Sequence, residues 1–97
     1  MPVLHTVVFR LVHEAGSAAE EDFLATGRAT LAAIPGVEDF TVRRQVSPKS
    51  DLTHQFAMRF ADQAAYDAYD AHPAHRDFVA TRWRTEVAEF QEYDFTA

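Results

Sequence analysis

Between positions 69 and 75 the chain sets a phenol and two imidazoles around a proline: Tyr69, His72, Pro73 and His75. An imidazole with an unperturbed pKa of about 6.5 can take a proton at neutral pH, and a phenol can donate to a developing oxyanion. Together they suit enolisation next to a carbonyl, with His75 as the base and Tyr69 as its partner. Two more histidines, His5 and His54, stand on alternating segments, each on the apolar parity. Of the five histidines only His13 falls in a loop. A structural reading competes with the chemical one. In it Tyr69 closes a helix end, His75 fills space, and each buried histidine is a hydrogen-bonded packing residue. Pattern alone leaves both open. His72, directly before Pro73, has a plainer role as the cap of the following helix.

Other chemistries find less support. His72 and His75, three apart, could hold a metal with His5 or His54, but no carboxylate or thiolate falls in a recognised ligand pattern, so no metal site is assigned. No cofactor is expected: there is no Gly-rich phosphate loop and no serine or cysteine nucleophile motif, and nothing marks a haem ligand. Arg43-Arg44 and Arg82-x-Arg84 read as solvated or paired with the abundant carboxylates. A net charge of -6 argues against nucleic acid and against anionic membrane surfaces, because phosphate affinity comes from Lys and Arg. The absence of cysteine excludes disulfides and thiolate metal sites. No stretch approaches the roughly 20 apolar residues of a membrane span, and the opening Met1-Pro2-Val3-Leu4-His5 has no signal-peptide character. A soluble cytoplasmic protein is the expectation.

The elements that must position these residues are legible in the periodicity. From Val3 to Leu11 both parities carry apolar residues, with His5 on the parity of Val7 and Phe9, which predicts a strand covered on both faces. Ser17-Ala18-Ala19-Glu20 matches a capping box, and Phe23, Leu24, Gly27, Leu31 and Ile34 continue at helical spacing until Pro35-Gly36, which places the helix end near Ala33. A strand through Phe40, Val42 and Val46, a loop at Ser47 to Asp51, and a strand from Thr53 to Phe60 follow. Asp62 caps a short helix that His72-Pro73 interrupts, and His75, Val79 and Trp83 mark the buried stripe of the next. Phe90, Tyr93 and Phe95 suggest a closing strand.

The order gives a single α+β domain over residues 1–97 on the ferredoxin-like β-α-β-β-α-β plan, with a broken second helix and a four-stranded antiparallel sheet. In that plan the helices cover one sheet face. The other, apolar here, packs most economically on a second copy, so a homodimer through the sheet face is predicted.

With these residues in place, the sequence resembles the Dabb family, the stress-responsive A/B barrel domain, over nearly its whole length. The likeness rests on His5-Thr6-Val7-Val8-Phe9-Arg10-Leu11, Ile34-Pro35-Gly36-Val37, Thr53-His54-Gln55-Phe56 leading to Arg59-Phe60, and Tyr93-Asp94-Phe95. Its most specific part is Tyr66-x-x-Tyr69-x-x-His72-Pro73-Ala74-His75. The resemblance implies a dimeric α/β barrel. It also implies a likeness to the plant polyketide (olivetolic acid) cyclases, which close a linear polyketide by intramolecular aldol condensation without metal or organic cofactor. Carried over residue by residue, His75 matches their general base and Tyr69 the residue that assists it. His5 and His54 match pocket residues, and Tyr66 and His72 join them as substrate-binding candidates. The ligand implied is a small carbonyl or phenolic compound. Two alternatives come with the resemblance: a non-enzymatic stress-responsive dimer, and a cofactor-free or haem-related monooxygenase of the wider superfamily.

Overall fold

Val3–Leu11 forms strand β1, in which Val3, His5, Val7, Phe9 and Leu11 are buried and the side chains between them are more open. The computed structural model describes residues 1–96. The double cover expected for β1 is absent from the single subunit, where Leu4 remains 37% exposed. The physical reason is topological. Both crossovers leave the sheet on the same side, so every helix packs on the face that carries Val7 and Phe9.

Helix α1 (Ala18–Leu31) starts where the capping box predicts. The Ser17 hydroxyl accepts from the Glu20 N–H at 3.2 Å, but the Glu20 carboxylate returns to the N–H of Gly16 at 3.0 Å, not to that of Ser17. The Ser17 N–H is already donating to the Glu14 carbonyl. Phe23, Gly27 and Leu31 make the buried stripe of α1, which ends two residues before the expected Ala33.

Strands β2 (Glu38–Arg44) and β3 (His54–Phe60) form an antiparallel pair, with His54, Phe56, Met58 and Phe60 buried on the helix side of β3. Val46, assigned to β2 from the alternation, lies beyond the strand and is 82% exposed. The ladder stops at Arg44 opposite His54, where the chain enters the Ser47-Pro48 turn.

Helix α2 (Gln63–Ala71) is capped by the Asp62 carboxylate, which accepts from the Ala65 N–H at 2.9 Å. Helix α3 (Pro73–Phe78) begins with Pro73, whose missing N–H is no loss in a first turn. It runs on through a π-helical turn (Val79–Trp83) into a last turn, α4 (Arg84–Glu86), before β4 (Val87–Thr96). The sheet order is β2-β3-β1-β4 with all neighbours antiparallel, which is the ferredoxin-like fold. At its centre Phe9, Phe23 and Phe56 are fully buried, Phe9 and Phe56 meeting edge to face at 4.8 Å. Each such ring contributes about 1.5–3 kcal/mol of transfer free energy.

Candidate functional site

Three elements bring the central residues together. β1 turns His5 toward the helices, the last turns of α2 carry Tyr69, and the first turn of α3 carries His75. Between the two helices His72 adopts an extended conformation (φ -65°, ψ 136°), and the bend leaves the Tyr69 and His75 rings 4.6 Å apart. His5 stands 6.4 Å from Tyr69. All three line one cavity of about 200 Å³, together with Glu92. The rest of its wall is apolar, built mainly by Leu31, Phe56, Met58, Phe78, Trp83 and Phe90.

Hydrogen bonds set the state of each histidine. His5 Nδ1 lies 2.6 Å from an Asp94 carboxylate oxygen and 2.9 Å from the Tyr66 hydroxyl. A carboxylate only accepts, so this nitrogen carries a proton. In the same way His75 Nδ1 donates to the Asp70 carbonyl at 3.2 Å. Burial lowers the His75 pKa, and the nearby Asp70 charge opposes it only in part. The ring is therefore neutral at pH 7, with Nε2 as a free base. Burial pushes the Tyr69 phenol in the other direction, well above its ordinary value, and the charges of Asp70 and Glu92 add to the effect. A neutral imidazole beside a phenol that keeps its proton is the separation that acid and base roles require.

Not every expected residue is on this wall. Tyr66 is buried behind His5 as its hydrogen-bond partner, with burial and then Asp94 raising its pKa. His72 caps α3, its Nδ1 accepting from the Ala74 N–H at 3.0 Å. His54 belongs to a second, more polar hollow of about 170 Å³, shared with His13, Glu20 and Arg44. Within the single subunit, His5 and His54, expected to line one pocket, stand in separate hollows. His54 pairs with Phe9, four residues along β1 from His5, a separation of roughly 13 Å at strand rise. Phe9 stands between, 5.7 Å from the His54 ring and 5.0 Å from Trp83. His54 Nε2 is 3.5 Å from a Glu20 oxygen but finds no aligned acceptor, so the pair is an electrostatic contact and not a hydrogen bond. Burial lowers the His54 pKa, with Glu20 pulling the other way. Among the described residues no group of three or more His, Cys, Asp or Glu side chains could hold a metal ion.

Three carboxylates of the site escaped the sequence reading: Asp70, Glu92 and Asp94. The available signal was the parity of Phe90, Glu92 and Asp94, which face the helices because Asp94 pairs with His5 and Glu92 with Val7.

The fold has known counterparts. The family model described as the stress responsive A/B barrel domain, Dabb, matches residues 3–97. This chain belongs to the Dabb family. A Dabb family protein with a ferredoxin-like fold from Mesorhizobium loti is 47% identical and superposes with a TM-score of 0.98, over 99% of this chain and 96% of that one. A dimeric ferredoxin-like protein of unknown function from Thermobifida fusca shares the fold at 19% identity and TM-score 0.77, over 100% and 92% of the two chains. The hydroxynitrile lyase of Passiflora edulis shares it at 17% identity and TM-score 0.77, over 97% and 91%. No curated protein matches the Dabb chain in sequence. Among its described residues no helix is long and apolar enough to cross a membrane.

Proposed function

We propose that this Dabb domain works as a cytoplasmic homodimer whose cavity binds a small carbonyl or phenolic compound and turns it over by acid-base chemistry, without a cofactor. The observation that carries this reading is the His75 ring 4.6 Å from the Tyr69 ring on the wall of a largely apolar cavity, where burial lowers the pKa of the imidazole and raises that of the phenol. His75 Nε2 takes a proton from the carbon next to the carbonyl while the Tyr69 O–H donates to the carbonyl oxygen, giving an enolate held by a hydrogen bond. In an aldol-type cyclisation the enolate carbon then attacks a second carbonyl of the same molecule, a C–C bond forms, and the proton on His75 passes to the new alkoxide. His5, tied down by Asp94 and Tyr66, keeps a second imidazole on the wall.

Two further observations favour the reading. The same fold carries a lyase in Passiflora edulis. The Thermobifida fusca neighbour is dimeric, and here the open sheet face presents Leu4, Tyr93 and Phe95.

The test is solvent exchange. Phenylacetone and related ketones in D2O are expected to lose their α-proton signal faster with the protein than without it. His75→Ala should remove about 100-fold or more of that acceleration, and Tyr69→Phe a smaller part. If a broad panel of ketones and phenols shows neither exchange nor binding, the enzymatic reading fails and the histidines are structural.

A further inference from the structure

We propose that Glu92 makes this cavity selective for ligands that carry an ammonium group, held at its open edge, over those that carry a carboxylate; this rests on the cavity being the binding site. The wall is buried or half-buried at every lining residue except two, Phe90 and Glu92 of β4. Both lie on the helix side of the strand, since Phe90 pairs with Phe9 and Glu92 with Val7. The open edge of the cavity therefore runs along them. Glu92 is the only carboxylate among the described residues that line the wall.

Charge decides what this edge selects. The three carboxylates around the site are not equivalent. Asp94 is taken up by His5 at 2.6 Å and Asp70 stands 3.9 Å from His75 Nε2, whereas Glu92 forms no ion pair or hydrogen bond among the described residues. Its charge still reaches the reacting groups. Burial raises the Tyr69 pKa, and Asp70 and then Glu92 add to the rise; burial lowers that of His75, and Asp70 and Glu92 both oppose the fall. Arg76 and Arg84 border a separate surface cleft and line no part of the cavity. A ligand carboxylate at the open edge thus meets a free negative charge in a chain of net charge -6. An ammonium group there pairs with Glu92, keeps its water on the outer side, and leaves the apolar part of the ligand to the wall. Phe90, 48% exposed and edge to face with Trp83 at 5.5 Å, adds an aromatic ring, whose face attracts cations and not anions. The substrate class narrows to small carbonyl or phenolic compounds that carry an amine.

Trp83, the one tryptophan of the chain, lines the cavity and reports its occupancy. Its fluorescence should be titrated at pH 7 with hexylamine, hexanol and hexanoate, in the native chain and in Glu92→Gln and Glu92→Lys. In the native chain hexylamine should bind more tightly than hexanoate, and added salt should narrow the difference. The affinity ratio of hexylamine to hexanol should fall about twofold to fivefold in Glu92→Gln, the size one exposed ion pair supports, and further in Glu92→Lys. Hexanol binding should stay unchanged, and the ratio of hexanoate to hexanol should rise in both variants. A native preference for hexanoate, or ratios that neither variant alters, overturns the ammonium assignment and leaves the cavity reading intact. No response of Trp83 to any of the three ligands, with no shift of the His5 and His75 ring protons in the same titrations, overturns both.

Discussion

His54 and His75 show how much one side chain owes to its depth. Burial is the largest influence on each, and it holds the folded-state pKa below the 6.5 of an unfolded chain. The stability that follows is complete above pH 6.5 and is lost as the pH falls toward the lowered folded-state values, because the unfolded chain takes up protons first. Asp70 is shifted upward by burial, which works in the opposite sense as the pH falls. The melting temperature of the native chain should therefore fall between pH 7 and pH 5, and His54→Gln should flatten that fall. An equally steep fall in His54→Gln would show that His54 does not carry this pH dependence. At this scale the sequence was a partial guide. Pro73 marked His72 as a cap and so singled out His75, but nothing local tied Asp94 to His5, since they meet only across the β1–β4 pair.

At the scale of elements the caps were legible because each is a local event. Ser17 and Asp62 bind N–H groups three residues on, and His72 one two residues on. The π-helical turn at Val79–Trp83 was not legible. It differs from an α-helix by about one residue per turn and leaves His75, Val79 and Trp83 on the same cavity wall. Gly27 also hides its reason until α1 is seen against β3. A Cβ there would stand 2.8 Å from Phe56 Cζ and 3.3 Å from Phe78 Cζ. Gly27→Ala gains about 1 kcal/mol of helix propensity but overpacks buried rings, which typically costs about 1–3 kcal/mol. A net loss of about 1 kcal/mol is expected in urea unfolding, and a larger one for Gly27→Leu. An unchanged or raised midpoint for Gly27→Ala would show that the Phe56 ring gives way.

For the whole molecule the open sheet face is the main consequence of the topology. Leu4 pairs with Phe95 and Thr6 with Tyr93, which puts an apolar patch on the side that no helix covers. If a second copy covers it, the native chain sediments as a dimer at micromolar concentration. Leu4→Glu combined with Phe95→Glu should then weaken association at least tenfold while leaving the circular dichroism native. A native chain that sediments as a monomer under the same conditions would remove the dimer from the proposal.

Periodicity, caps and the Tyr69 to His75 segment determined the order of elements and the ferredoxin-like plan, because those signals depend on neighbours within a turn or two. Tertiary structure alone decided which histidines share a cavity. His5 and His54 both face the helices from adjacent strands, yet register sets His54 opposite Phe9 and His5 opposite Met58, at different points along the sheet. Register is a property of paired strands, so the spacing of residues along one chain does not encode it directly.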